Sequence, residues 1–258
     1  MSHINDSYIR SVVNCIDLKG KKILEVGCGN GKNLRALADQ YHPEMIIGID
    51  INLDSWWKVN DVKGENWEIK EGDVLSLDFP DNYFDGVISV ATFEHILDIP
   101  KALSEIKRVL KPFGRFYTEF APIWTSIIGH HYDFWISKEK AQLIPPWGHL
   151  YMDEGEMYDY LIGKVGSEEA KKACYEIYHS GIINRISRKE FYNAFSNAGM
   201  WVRQLNEHIC FSRARHFGVT ESELSEEVLH KIKNSNIELG EIGTFGFSVL
   251  LEKYFEIK

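Results

Sequence analysis

Residues 23–31 read Ile-Leu-Glu-Val-Gly-Cys-Gly-Asn-Gly, and this stretch decides the fold. Ile23, Leu24 and Val26 suit a parallel strand buried on both faces, which carries a near-continuous apolar run. Gly27, Gly29 and Gly31 then permit positive φ and a close approach of ligand to backbone that a Cβ would block. The helical stretch that follows opens with unpaired N–H groups, a ready anion site. The spacing sets aside one competitor. A dinucleotide-binding fingerprint puts its third glycine one residue later, where this chain has Lys32.

Working outward, Met45 to Asn52 form a second apolar strand ending in the acid Asp50, and Trp67 to Ile69 begin a third that runs to Asp73. Phe84 to Val90 read as a fourth, introduced by the turn residues Pro80-Asp81-Asn82. Leu110 to Tyr117 close a helix and open a fifth strand, with Pro112 and Gly114 as the break. Tyr8–Leu18, Asn33–Tyr41, Leu53–Val62 and Asp98–Leu110 carry helical apolar spacing between these strands.

Taken in order, five elements resemble the class I S-adenosylmethionine-dependent methyltransferases over about residues 20–120. They are Glu25-x-Gly27-x-Gly29-x-Gly31, the Gly48-Ile49-Asp50 strand end, the run from Gly72-Asp73-Val74 to Asp85, Phe93-Glu94-His95, and the Leu110-Lys111-Pro112-Phe113-Gly114 turn. The resemblance implies a Rossmann-like, doubly wound α/β sheet of seven strands with an antiparallel terminal hairpin. It also implies S-adenosyl-L-methionine as methyl donor. Gly27, Gly29 and Gly31 would line its methionine part, Asp50 its ribose and Asp73 its adenine. The full donor-binding set carried over is Glu25, Gly27, Cys28, Gly29, Gly31, Asp50, Ile51, Asp73, Val74 and Ser89.

The chain has 258 residues, 44% of them hydrophobic and 26% charged, an ordinary globular composition for one domain. Acids outnumber bases 38 to 29, a net charge of −9, which argues against nucleic acid and anionic membrane as partners. The four cysteines, Cys15, Cys28, Cys174 and Cys210, form no close pair, so reduced thiols and a cytoplasmic location are expected. No signal sequence and no apolar run of the ~20 residues that span a bilayer is present.

After the fifth strand the pattern changes. Residues 123–186 mix aromatics, prolines and histidines, and read as a substrate-binding lid inserted into a core of about residues 18–122 and 187–258. Helices are expected at Asp153–Val165 and Ser167–Ser180. Ser187 with Glu190 has capping-box spacing at the head of a helix, and Trp201–Phe211 and Thr244–Phe255 read as the terminal hairpin. A smaller insertion at about 213–240 carries a charged helix near 221–234.

Methyl transfer to a hydroxyl calls for a general base, and histidine is the natural one. Of ten histidines, His130, His131 and His149 fall in the lid and His95 follows the fourth strand, so these four are the candidate catalytic residues. Structural roles stand beside each: His95 in the turn, the lid histidines as partly exposed residues bonded to nearby backbone. A metal set of His130, His131 and His149 with Asp133 or Asp153 matches no recognised ligand spacing, and no metal is expected. Trp124, Trp135 and Trp147 could stack on an acceptor or pack the lid down. Arg185 and Arg188 could meet an acidic substrate or surface acids.

The reading is O-methylation of a small soluble acceptor, sugar-like or a natural product, with histidine as base and a homodimer possible. N- or C-methylation of a small metabolite, or a non-catalytic donor-binding regulator or partner subunit, stand as alternatives. Ser89-Val90-Ala91-Thr92 stands where amino-group modifiers of DNA bases and protein glutamines carry N-P-P-Y or D-P-P-Y, which sets those aside.

Overall fold

The computed structural model describes residues 6–53, 61–132, 143–210, 226–235 and 237–255. Its centre is a seven-stranded sheet: β1 Lys22–Val26, β2 Met45–Asp50, β3 Trp67–Glu71, β4 Phe84–Val90, β5 Leu110–Phe120, β6 Trp201–Ile209 and β7 Thr244–Glu252. The order across the sheet is β3-β2-β1-β4-β5-β7-β6. β1 to β5 pair in parallel, and β7 inserts antiparallel between β5 and β6. The chain order reverses beside β1, where open α/β sheets bind ligands beyond the carboxyl ends of their strands.

The central strands β1, β2, β4 and β7 are buried on both faces, as their apolar runs require, while of the edge strands β3 is half-buried and β6 largely exposed. One face packs Leu24, Val87, Phe116, Phe120, Phe247 and Val249 against α3 (Ile99–Val109) and α7 (Arg188–Ser196). Phe93, Phe120, Phe191, Phe195 and Phe247 fill it with ring centroids 4.8–6.5 Å apart, in the favourable range for aromatic pairs. The other face packs Ile23, Ile46, Ile88 and Leu250 against α1 (Asp6–Cys15) and α2 (Lys32–Tyr41). Strand alternation puts Glu25 on that second face, two residues after Ile23.

The region after β5 is more ordered than its irregular composition suggests. It holds a short helix α4 (Gly148–Tyr151) and a helical hairpin, α5 (Glu154–Val165) and α6 (Ser167–Tyr178). The hairpin closes its own apolar cluster around Tyr132, Ile144, Met157, Leu161, Ala173 and Ile177. The expected capping box is formed by Ser187 and Glu190, and Asp153 with Glu156 forms a second. Helix α8 (Glu226–Asn234), in the smaller insertion, buries Ile232 in a cluster with Ile127, Ile128 and Trp147. The two insertions therefore share a core. Asp133, Trp135 and most of the helix expected at 53–62 lie outside the described residues.

Candidate functional site

The glycine turn holds its shape for three separate reasons. Gly27 and Cys28 both donate from their backbone N–H to Ile49 O, at 2.8 and 3.0 Å, which ties the end of β1 to β2. A Cβ on Gly27 would lie 2.1 Å from Thr92 Oγ1, and one on Gly31 would lie 1.9 Å from Ile69 Cδ1. At these two glycines the missing Cβ leaves room for neighbouring side chains to pack against the turn. Gly29 alone, at φ 53, would direct a Cβ into open space. Its N–H donates to Asp50 Oδ2 at 2.9 Å, so the turn also aims the carboxylate that ends β2.

Beneath the turn lies Glu25, buried to 4% exposure. Tyr8 of α1 donates to its Oε1 at 2.7 Å, while Oε2 has no partner among the described residues. Burial, reinforced by the charge of Asp50 and opposed by the Tyr8 bond, pushes this carboxyl up to about 7. Burial and Glu25 together push the Tyr8 phenol well above its ordinary range, so it stays a donor. Among the described residues neither Glu25 nor Asp50 is ion-paired. The carboxyl end of β1 and β2 therefore carries two carboxyl groups that no described cation pairs with directly. Ile51, beside them, is an apolar side chain left 71% exposed.

The remaining donor-set residues divide by direction. Asp73 is exposed, and its Oδ1 accepts from Leu75 N–H at 2.8 Å. Val74 buries its side chain in the core, Cys28 packs against Gly48, and Ser89 donates its hydroxyl to Val26 O at 3.0 Å. For these three, packing or strand-tying is what the side chain does, leaving only backbone to face a ligand.

A second polar cluster lies beyond the ends of β4 and β5. A single turn, Phe93–His95, follows β4, and it is clamped to the lid by Asn184. That side chain donates to Phe93 O at 2.7 Å and Ile96 O at 2.9 Å, and its backbone N–H donates to Glu94 O. Glu94 is fully buried, and neither carboxylate oxygen makes a hydrogen bond of acceptable geometry among the described residues. Burial pushes it up to about 8, partly offset by the nearby N–H groups of Glu94 and Ala121.

The four candidate histidines meet here. His95 and His131 lie with ring centroids 5.3 Å apart, as do His130 and His149. Their hydrogen bonds fix the tautomers. His130 Nδ1 accepts from Tyr132 N–H, so its proton sits on Nε2. His149 Nε2 donates to Trp124 O at 2.7 Å, which leaves Nδ1 as a lone pair with no partner among the described residues. Burial holds His149 down to about 4 and His131 to about 3, keeps His130 well below its ordinary range and lowers His95. All four rings are neutral at physiological pH. Ala91, His131, Trp147 and Arg185, around this cluster, all take positive φ, and strained backbone of this kind concentrates at functional sites.

Three neighbours turn out to serve packing. Trp147 is buried in the core shared by the insertions, and Trp124 lies edge-on to His149 and under the Arg185 guanidinium. Arg188 makes a two-pronged ion pair with Glu207 at 2.6 and 2.8 Å. Sequence gave no sign of Asn184 or of the Tyr8–Glu25 bond as an anchor, because both depend on contacts between distant segments.

Comparison with known proteins agrees with this geometry. Residues 24–118 match a family described as "Methyltransferase domain". The chain is 36% identical over 110 residues to a fatty-acid O-methyltransferase of Mycolicibacterium smegmatis, covering 41% of this chain and 39% of that protein. It is 35% identical over 179 residues to 24-methylenesterol C-methyltransferase 2 of Arabidopsis thaliana, covering 64% and 44%. The chain thus spans less than half the length of these relatives. An S-adenosylmethionine-dependent methyltransferase structure from Mesorhizobium loti superposes with TM-score 0.55, covering 98% of this chain and 99% of that one, at 14% identity.

Residues 24–118 thus match a methyltransferase domain, carried on the fold of the class I S-adenosylmethionine-dependent methyltransferases.

The residues present fit S-adenosylmethionine. S-adenosylmethionine carries an ammonium, a sulfonium, a vicinal diol and a flat purine. The partnerless Glu25 Oε2 could take the ammonium, since a buried unpaired carboxylate oxygen costs free energy until a donor reaches it. Asp50, pre-aimed by Gly29, could take the diol through charge-assisted bonds. The exposed Ile51 could cover the purine face. Among the described residues no helix of the methyltransferase is long and apolar enough to cross a membrane.

Proposed function

We propose that this chain transfers the donor's methyl group to a hydroxyl oxygen of a small acceptor held over the carboxyl ends of β4 and β5. The observation that carries the reading is the cluster of buried Glu94, His130, His131 and His149 with partly exposed His95 at that end of the sheet, beneath the inserted helices. Likeness alone does not choose the atom, because one relative is named an O-methyltransferase and another a C-methyltransferase. A cluster of neutral imidazoles and a carboxyl favours oxygen, whose proton must go somewhere.

When bound, S-adenosylmethionine supplies a methyl group on a sulfonium, which becomes a neutral thioether as the acceptor oxygen takes the methyl. Glu25 and Asp50 anchor the cofactor at its two polar ends. Gly29 keeps the backbone low between them. The lid, clamped at Asn184, excludes water and holds the acceptor in line, the main source of rate in a displacement of this type. His149 receives the hydroxyl proton at Nδ1, its lone-pair nitrogen, and Trp124 O holds the ring in that tautomer. His130 presents Nε2–H as a donor to the acceptor.

The test is methyl transfer from labelled donor to a panel of hydroxylated small molecules. His149→Ala should lower kcat by about 10²–10⁴-fold, the usual worth of a general base, with donor affinity unchanged. Full activity in that variant removes the assignment. Binding of donor without transfer to any acceptor removes the function.

A further inference from the structure

We infer that Glu94, His95 and His131 form a binding site for a divalent metal cation at the acceptor end of the sheet. Each offers one ligand atom, and the three lie within 4.8 Å of one another. Glu94 and His95 come from the turn after β4 and His131 from the segment after β5, so two strand ends converge on one point.

The orientation of the two rings is the one that metal ligation requires. His95 Nδ1 is bonded to Ile182 O, and His131 Nδ1 to Gly129 O at 3.1 Å. A carbonyl can only accept, so each ring carries its proton on Nδ1 and its lone pair on Nε2. Metal-binding histidines are held in this way, with the far N–H given to a backbone carbonyl or carboxylate. His95 Nε2 lies 4.0 Å from Glu94 Oε1, beyond hydrogen-bond reach. No shared proton links that pair. Glu94 is fully buried with both oxygens partnerless among the described residues. A carboxylate in that position is stabilised by a cation more than by anything else the chain offers it.

Size agrees as well. Ligands at about 2.1 Å from a four-coordinate cation stand roughly 3.4 Å apart. The set must contract by about an ångström, which rotation of the half-exposed His95 side chain and of Glu94 can supply. Two imidazoles and one carboxylate suit a first-row divalent ion and leave coordination positions open. On the proposed reaction, an acceptor oxygen would fill one of them and lose its proton more easily. A buried imidazole as weakly basic as His149 would then suffice to receive that proton. His130 is not part of this set, because its Nδ1 accepts from Tyr132 N–H. His131 instead turns toward Glu94.

The use of the site rests on the proposed methyl transfer, but its existence does not, and the experiment separates the two. The full chain, stripped with chelator, is titrated with Mn²⁺ by calorimetry and by loss of the free-ion electron paramagnetic resonance signal, with Zn²⁺ as competitor. One equivalent per chain is expected, with Glu94→Gln and His131→Gln each weakening binding by at least ~10-fold. Unchanged circular dichroism and unchanged affinity for S-adenosylhomocysteine identify variants that fold. If one variant does not fold, the other decides. No saturable binding of either ion to the native chain, or native affinity in a folded variant, overturns the site. Metal bound without methyl transfer would retain the site and remove the functional reading; transfer unaffected by complete metal removal would remove the role given to the metal in the reaction.

Discussion

Replacing Glu25 by Gln separates stability from cofactor binding, and the structure fixes the sign of both effects. The buried carboxyl is pushed from 4.5 to about 7. Between those values the folded chain holds a proton that the unfolded chain has released, so stability falls as pH rises through that window. At 1.36 kcal/mol per unit, the loss is on the order of 3 kcal/mol and complete above pH 7. Gln keeps an oxygen to accept from Tyr8 and cannot ionise. The variant without ligand should therefore be more stable than the native chain at pH 8, by up to ~3 kcal/mol, and little different at pH 4.5. For a chain of this size that is a rise in melting temperature of about 5–10 °C. Cofactor binding should move the other way, because a hydrogen bond to a charged partner is worth about 1.5–3 kcal/mol. The dissociation constant should thus rise by roughly 10–150-fold. In the native chain, affinity should increase between pH 5.5 and 7.5 as Glu25 ionises. Melting curves at two pH values and a calorimetric titration read all of this. A variant that melts lower at pH 8, or that binds the cofactor within twofold of the native chain, would refute the role given to Glu25.

Two further substitutions test neighbouring parts. Gly27→Ala drives a Cβ into Thr92 and should cost about 1–3 kcal/mol of stability, whereas Gly29→Ala, which faces open space, should cost less in melting temperature than in cofactor affinity. Equal losses in both assays for the two glycines would contradict the division of labour in the turn. Asn184→Ala removes the side-chain donor to Phe93 O and Ile96 O, and should cost about 2 kcal/mol, speed proteolytic cleavage of the inserted helices and lower kcat/KM while cofactor affinity holds. An unaltered cleavage rate would show that the clamp lies elsewhere.

The sheet was legible because its strands are short apolar runs bounded by turn residues, and because Glu25 to Gly31 carry an unusual glycine spacing. Helix starts with a side-chain cap were legible too: Ser187 with Glu190 reads directly as a box. The acceptor site was legible only as a population of histidines. His95 and His131 are distant in sequence and meet because β5 runs back beside β4 and the chain then turns under the lid. No periodicity encodes such a meeting. Tautomers are further removed, since each depends on which backbone carbonyl a ring happens to face. The two long helices of the insertion were legible from their spacing, and Asp153-x-x-Glu156 forms the same capping box as Ser187-x-x-Glu190. Gly27 and Gly31 show the opposite limit: the motif is plain, but what packs against each glycine depends on Thr92, in the turn after β4, and on Ile69 of β3.

The most direct measurement is a calorimetric titration of the purified chain with S-adenosylmethionine and with its demethylated product. One site per chain is predicted for each, with binding abolished or much weakened in Asp50→Ala, where the acid aimed by Gly29 is gone. Absence of heat for both molecules, or undiminished binding without Asp50, would contradict the account at its root.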